Sequence, residues 1–465
     1  MAGTGPTAAA RRPAAAVDTP ETVARLSHSG GSLAQGASWR EVHVSRAARL
    51  AVLALLVVAL CLVEGGLRLG ARSPDTRYTL PAYSLGYFWD TPLGWTGVLD
   101  GTPINRDSSQ FASLAAFLRG DADLFIPLNE NVYTRFTGYA LLGGALAPFL
   151  GAYLGFVACN VALWIAAALA TYALAVRRTG SAWVGTLAAI LVATAPAFGA
   201  LAGQALPYVA SYSLFAIGLW YCDRVGLFDG GVPAATAGLA GLAVGATLLV
   251  YDLYMLPVFV ILYGLGRLPA RRLGLFLVAA VVPKVLWAAY WFAAGLPRYT
   301  QNDSHPLEAL QAWLTLAGRG LGAHQALAVG ALAAHIGLNV LAAFMVVPVL
   351  LAAWSLMRWR RVPDVRWYLA VLVGGFAPAA FMVSTWPHIP RWYAYGFPAV
   401  YILAALAAVR IGGCWRGAPA WVRPVVSAAI VLPCVLLANL DLVGVTKPME
   451  LFLFQPQSWS YLWQR

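Results

Sequence analysis

Long apolar runs broken by short arginine-bearing segments extend through most of this sequence, and they constrain its fold more than any other feature. Ala51 to Val63 and Leu341 to Met357 are two such runs. The chain has 465 residues, 60% hydrophobic and 11% charged, too few charges to cover a water-facing surface when soluble domains carry about 25%. The pattern is that of a polytopic helical membrane protein. Lys284 and Lys447 are the lysines, so arginine supplies nearly all of the net charge of +12. Those arginines are scattered between apolar runs, which excludes a nucleic-acid-binding patch. The five cysteines show no CxxC and no His partner at metal-ligand spacing, so neither a disulfide framework nor a zinc site is expected.

Residues 1–47 are rich in Ala, Gly, Ser, Pro and Thr and read as a disordered cytoplasmic tail. A ruler of about 20 apolar residues per span predicts an all-α polytopic bundle of about 11 transmembrane helices, in the range ten to thirteen, filling residues 48–443. The expected spans lie near 48–67, 152–176, 181–198, 209–222, 233–250, 253–266, 273–293, 330–357, 367–384, 393–409 and 424–443. With the N-terminus cytoplasmic, one side receives Arg177, Arg178, Arg224, Arg267, Arg271 and Arg272, then Arg358 to Arg366 and Arg410 to Arg423. The other side receives Asp107, Asp121, Asp123, Glu130, Asp303 and Glu308. That asymmetry obeys the positive-inside rule. It puts residues 69–138 and 294–325 in outside loops and 444–465 in a short outside tail. Tyr139 to Leu150 is apolar but short, and reads as a re-entrant or interface-lying helix. Phe111, Leu114, Ala115 and Leu118 form an apolar stripe at helical spacing, so the first outside loop is expected to carry an amphipathic helix on the membrane surface.

Each charge in these segments carries a functional and a structural reading. Asp107 could act as a base beside the membrane, or it could cap a helix running from Ser108 to Leu118. Asp121, Asp123 and Glu130 could bind a substrate or be solvated loop charges, and Glu130 or Asp107 could pair with Arg135 or Arg106. Lys284 lies inside an apolar run, where a charge costs at least ~2.5 kcal/mol on insertion scales. It should therefore face a polar cavity or an anion. The segment from Trp386 to Tyr393 holds His388, Arg391 and two prolines; Arg391 could clamp a phosphate or snorkel within an aromatic belt. Pro196 to Tyr208 reads as a plain outside turn.

Four stretches together resemble the GT-C superfamily of membrane glycosyltransferases. They are Arg106-Asp107 through Gly120-Asp121; Tyr139 to Gly151; Ala195-Pro196 to Tyr208 with Leu214 to Arg224; and Pro390-Arg391-Trp392-Tyr393 to Ala399. The resemblance implies an inverting transferase, in the bacterial inner membrane, that moves a sugar from a polyprenyl-phosphate carrier to a glycan, lipid or protein acceptor at the outer face. It implies Asp107 as catalytic base and Arg391 as the first cation for the leaving phosphate. Lys284, Arg135 and Arg298 stand behind Arg391, and Glu130, Asp121 and His388 complete the substrate-binding set. No cofactor or metal ligand is assigned, and a divalent metal is left open without support. The alternatives are a multispan transporter or lipid flippase, and a lipid-carrier polymerase or ligase.

Overall fold

The computed structural model describes residues 46–70, 95–99, 102–120, 136–229, 232–251, 256–265, 269–297, 343–382, 393–414 and 421–437, with a few isolated positions between them. The chain divides into two compact units, Met1–Leu50 and Ala51–Arg465. The first contributes only the opening turn of a helix among the described residues, and all packing below lies within the second.

The described elements are α1 (Arg46–Gly70), β1 (Trp95–Leu99), β2 (Thr102–Asn105), α2 (Arg106–Arg119), α3 (Thr137–Leu150), α4 (Ala152–Thr179), α5 (Ala182–Ala193) and α6 (Pro196–Ala202). They continue with α7 (Tyr208–Arg224), α8 (Ala234–Thr247), α9 (Leu256–Gly264), α10 (Ala270–Ala293), α11 (Val346–Met357), α12 (Val365–Met382), α13 (Phe397–Gly413) and α14 (Val422–Leu437). Each of the eleven expected spans contains helix among its described residues, with breaks at Thr194–Ala195 and Met345 and a turn from Leu248 to Val250. Among the described residues, four stretches are long and apolar enough to cross a bilayer: Ala152–Thr179, Ala182–Gly199, Ala270–Ala293 and Ala394–Gly413. Six more apolar helices are described over 10–17 residues each, so helix length among the described residues does not establish eleven crossings. The protein is an integral membrane protein.

The architecture departs from the all-α expectation at β1 and β2. These strands pair antiparallel, with Leu99 opposite Thr102 and Trp95 opposite Asn105.

Local chemistry sets the helix ends. Gly180 takes the left-handed conformation (φ 70°) that ends α4. Ser181 then caps α5 by accepting a hydrogen bond from the Val184 amide at 3.3 Å. Pro196 opens α6 from its first position. α13 is apolar on every side and 83% of its span is buried, whereas only 17% of the α10 span is. α13 is therefore the central helix, and α10 turns Val278, Leu286 and Phe292 outward.

The arginine-bearing helix ends gather at one end of the bundle. Arg178, in the last turn of α4, pairs with Asp223 at the end of α7 and with Asp364 ahead of α12, the latter at 2.6 Å. Arg177 also reaches Asp223, at 2.9 Å. The Arg178 guanidinium lies over the rings of Phe228 (5.7 Å) and Trp367 (5.1 Å), and Arg410 in α13 donates to the Arg361 carbonyl.

α8 and α10 pack in parallel through Gly241 and Gly245, a small-xxx-small pair. A Cβ on Gly241 would collide with the Phe276 carbonyl, and one on Gly245 with the Ala280 carbonyl, while Gly238 has ordinary room beside Leu275 at 3.7 Å. Gly241→Ala with Gly245→Ala should cost about 1–3 kcal/mol by overpacking. It should lower the unfolding temperature in detergent, while Gly238→Ala should leave it unchanged.

Candidate functional site

Away from the arginine end, the segment ahead of α3, the end of α8 and the flank of α10 meet around Lys284. α2 is not the surface-lying helix expected. Every residue from Ser108 to Ala116 is buried, including Ser109, Gln110 and Ser113. Its polar side is covered by the protein itself: Asn131 donates to the Gln110 carbonyl at 2.7 Å, and Ser113 Oγ accepts from the Ile126 amide at 2.8 Å. The helix begins at Arg106, two residues earlier than a cap at Asp107 requires. The Asp107 backbone therefore sits in the first turn, where a carboxylate complements the helix dipole.

α2 and α3 run parallel, with Phe111 edge-on to Tyr139 at 5.2 Å and Ala115 against Gly144. That register places the first turn of α2 level with the start of α3. α3 then pairs back onto α4, with Gly143 against Phe156 and Gly155 against the Gly143 carbonyl.

Lys284 lies at the same level. Its ammonium donates to the Leu248 carbonyl at 3.4 Å and sits 4.5 Å from the centre of the Phe136 ring. Gly138 N–H donates to the Leu249 carbonyl at 2.9 Å, and Trp287 Nε1 donates to the Thr134 carbonyl at 3.3 Å. The Leu248 carbonyl, just past the end of α8, and a ring face thus bear on the charge that made Lys284 costly in an apolar run. Below it, Phe136, Tyr251 and Tyr208 form a chain of rings at 5.0 and 5.3 Å.

The start of α13 joins this end through α7. Ser211 Oγ and Tyr395 OH are 2.6 Å apart, and Tyr212 lies edge-on to Tyr395 at 4.8 Å. Tyr393 is buried, and its hydroxyl has no partner among the described residues.

The segment from Pro196 to Tyr208 is no plain turn. It is a short helix followed by a buried loop, in which Leu201 to Leu206 are covered. Asn160 holds that loop from inside the bundle: its amide donates to the Gln204 carbonyl at 2.8 Å and to those of Ala202 and Leu206 at 3.4 Å. Tyr153 OH donates to the Gly203 carbonyl at 2.6 Å. Gln204 is 3% exposed, and neither end of its side-chain amide has a partner among the described residues.

No protein-family model matches the chain, and neither does any curated protein sequence. Solved structures do. A crystal structure of ArnT from Cupriavidus metallidurans bound to undecaprenyl phosphate is 12% identical, with a TM-score of 0.50 covering 90% of this chain and 75% of that one. The apo oligosaccharyltransferase of Archaeoglobus fulgidus is 13% identical, with a TM-score of 0.50 covering 87% and 56%. The chain has the GT-C fold. It spans 65% of the length of the apo ArnT structure.

Within this GT-C fold the structure brings Lys284 to the level of the α2 turn that carries Asp107, and it sets Tyr393, two residues beyond Arg391, against the same end. The Asp107 side chain and the whole of Asp121, Glu130, Arg135, Arg298, His388 and Arg391 lie outside the described residues. Among the described residues no group of three His, Cys, Asp or Glu could hold a metal ion. Sequence reasoning missed Asn160, although a lone amide in an apolar run is the same signal that singled out Lys284. It also missed Gln204, which carries no sign of burial in sequence.

Removing the Asn160 amide leaves buried carbonyls without a donor, at about 1–3 kcal/mol. Asn160→Ala should lower the unfolding temperature and speed hydrogen exchange at Gly203 to Leu206, with helices away from this loop unaffected.

Proposed function

We propose that this protein is an inverting glycosyltransferase that moves a sugar from a polyprenyl-phosphate carrier to an acceptor at the outer face of the membrane. The observation that carries the reading is the placement of Lys284, a cation held inside the bundle against the Leu248 carbonyl and the Phe136 ring, in a fold shared with ArnT bound to undecaprenyl phosphate.

In this reaction Asp107 takes a proton from an acceptor hydroxyl or amine. The freed lone pair attacks the anomeric carbon as the bond from that carbon to the phosphate oxygen breaks, so one displacement inverts the centre. The polyprenyl phosphate leaves with the bonding electrons. A phosphate leaving group needs charge stabilisation more than a proton, a task assigned to Arg391 and Lys284, with Arg135 and Arg298 in support. Asp121, Glu130 and His388 line the substrate site. The buried Gln204 amide is a ready partner for a sugar hydroxyl, since an unsatisfied buried amide gains most from a polar ligand.

The arginine-bearing end faces the cytoplasm in this reading, with the N-terminus inside, residues 69–138 and 294–325 outside, and 444–465 an outside tail. The bacterial inner membrane is the proposed location.

Purified protein incubated with a panel of labelled polyprenyl-phosphate sugars should transfer or hydrolyse one of them, and inertness towards the whole panel would count against the reading. Asp107→Asn keeps the helix and removes the base, so turnover should fall by about 10² to 10⁴ with donor binding intact. Lys284→Met fills the same space without charge. It should leave the unfolding temperature equal or higher while weakening donor binding, and unchanged donor binding would move the phosphate to Arg391.

A further inference from the structure

The arginine end of the bundle carries a second feature that the transferase reading does not use. Met357, Arg358, Trp359, Arg360 and Arg361, in the turn between α11 and α12, line a cavity of about 430 Å³. The turn is held firmly. Arg361 N–H donates to the Arg358 carbonyl at 2.8 Å, Val362 N–H to the Trp359 carbonyl at 3.0 Å, and Arg410 of α13 ties down the Arg361 carbonyl.

Two kinds of group stand exposed side by side here. Met357 is 75% exposed and Trp359 55%, apolar surface left uncovered where an apolar helix ends. Beside them the Arg358, Arg360 and Arg361 side chains are exposed too. Arg358 lies over the Trp354 ring at 4.1 Å and Arg360 over Trp359 at 5.6 Å. Stacking fixes the plane of a guanidinium and leaves its edge N–H groups free for a planar, doubly accepting anion. Asp364, six residues from Arg358, is committed to Arg178, and no carboxylate among the described residues pairs with any of the three arginines.

Three unneutralised guanidiniums are satisfied by phosphate, and Met357 and Trp359 by acyl chains at the headgroup boundary. Only a molecule that carries both fits both. We propose that this turn is a binding site for an anionic phospholipid, the phosphodiester seated on Arg358, Arg360 and Arg361 and the chains against Met357 and Trp359. The inference needs the membrane, and it is independent of the transferase reading.

The test uses the full chain in mixed micelles of phosphatidylglycerol and phosphatidylcholine, with bound lipid counted by native mass spectrometry. Wild type should retain phosphatidylglycerol in preference to phosphatidylcholine. Arg358→Gln/Arg360→Gln/Arg361→Gln should weaken that retention about a hundredfold, from about fivefold per arginine at an anionic surface. Arg360→Gln alone makes no change to a backbone hydrogen bond and should cost about fivefold, which keeps the test open if the triple variant does not fold. The triple lysine variant should recover only part, since a point charge lacks the fork. Arg271→Gln/Arg423→Gln, which removes two exposed arginines elsewhere, is the control. Equal loss in the control, no preference for phosphatidylglycerol, or displacement of the lipid by millimolar inorganic phosphate would each overturn the proposal.

Discussion

The buried guanidinium of Arg178 is the interaction on which one end of this bundle depends. It is 9% exposed, its partner Asp223 is fully buried, and Asp364 shares the same guanidinium. None of the three could be buried alone, because an unpaired charge in a low-dielectric interior costs far more than its partners return. The cluster therefore acts as a latch: the ends of α4 and α7 and the entry to α12 are held together or not at all. Replacing all three by apolar groups need not weaken the fold, while removing one strands the others at about 3–5 kcal/mol. With those ends fixed, the far ends of α4 and α7 present Asn160, Tyr208 and Ser211 to the opposite end, where the candidate site is built.

How much of this was legible in the sequence divides along a physical line. Helices of a membrane protein announce themselves by length and hydropathy, and every expected span contains helix among its described residues. What a helix packs against is not written in its own composition. The apolar stripe of Phe111, Leu114, Ala115 and Leu118 left Ser108, Ser109, Gln110 and Ser113 on the other side of the helix, yet all four are buried; the Ile126 amide reaches Ser113 Oγ and Asn131 the Gln110 backbone carbonyl. Hydrogen bonds from residues distant in sequence can turn a polar face into a buried one, and no periodicity reports them.

The site shows the same division. Lys284 was found because a charge in an apolar run demands an explanation, and the explanation is a cradle of the Leu248 carbonyl and the Phe136 ring that only the folded chain assembles. Asp223 was overlooked although it carried a clue. An acid in the last turn of a helix opposes the helix dipole and so requires cations nearby, which Arg177 and Arg178 supply. Pro196 to Tyr208 reads in sequence as a plain outside turn, whereas Leu201 to Tyr208 are buried in the fold.

The unequal lengths of α8 and α10 have a geometric consequence. The two helices start together at the arginine end, but α10 continues nine residues past Lys284 to Ala293, about 14 Å of helix, whereas α8 ends at the level of the ammonium. Lys284 is thus set well below the end of α10 on that side. In the proposed reaction a donor phosphate that meets Lys284 has to come down alongside the apolar flank of α10, and a headgroup carried on a long flexible tail can do so by sliding along that flank from within the bilayer. A compact polar molecule arriving from water would have to shed its hydration over the whole descent. The depth of the charge is then itself a filter, favouring molecules already dissolved in the membrane.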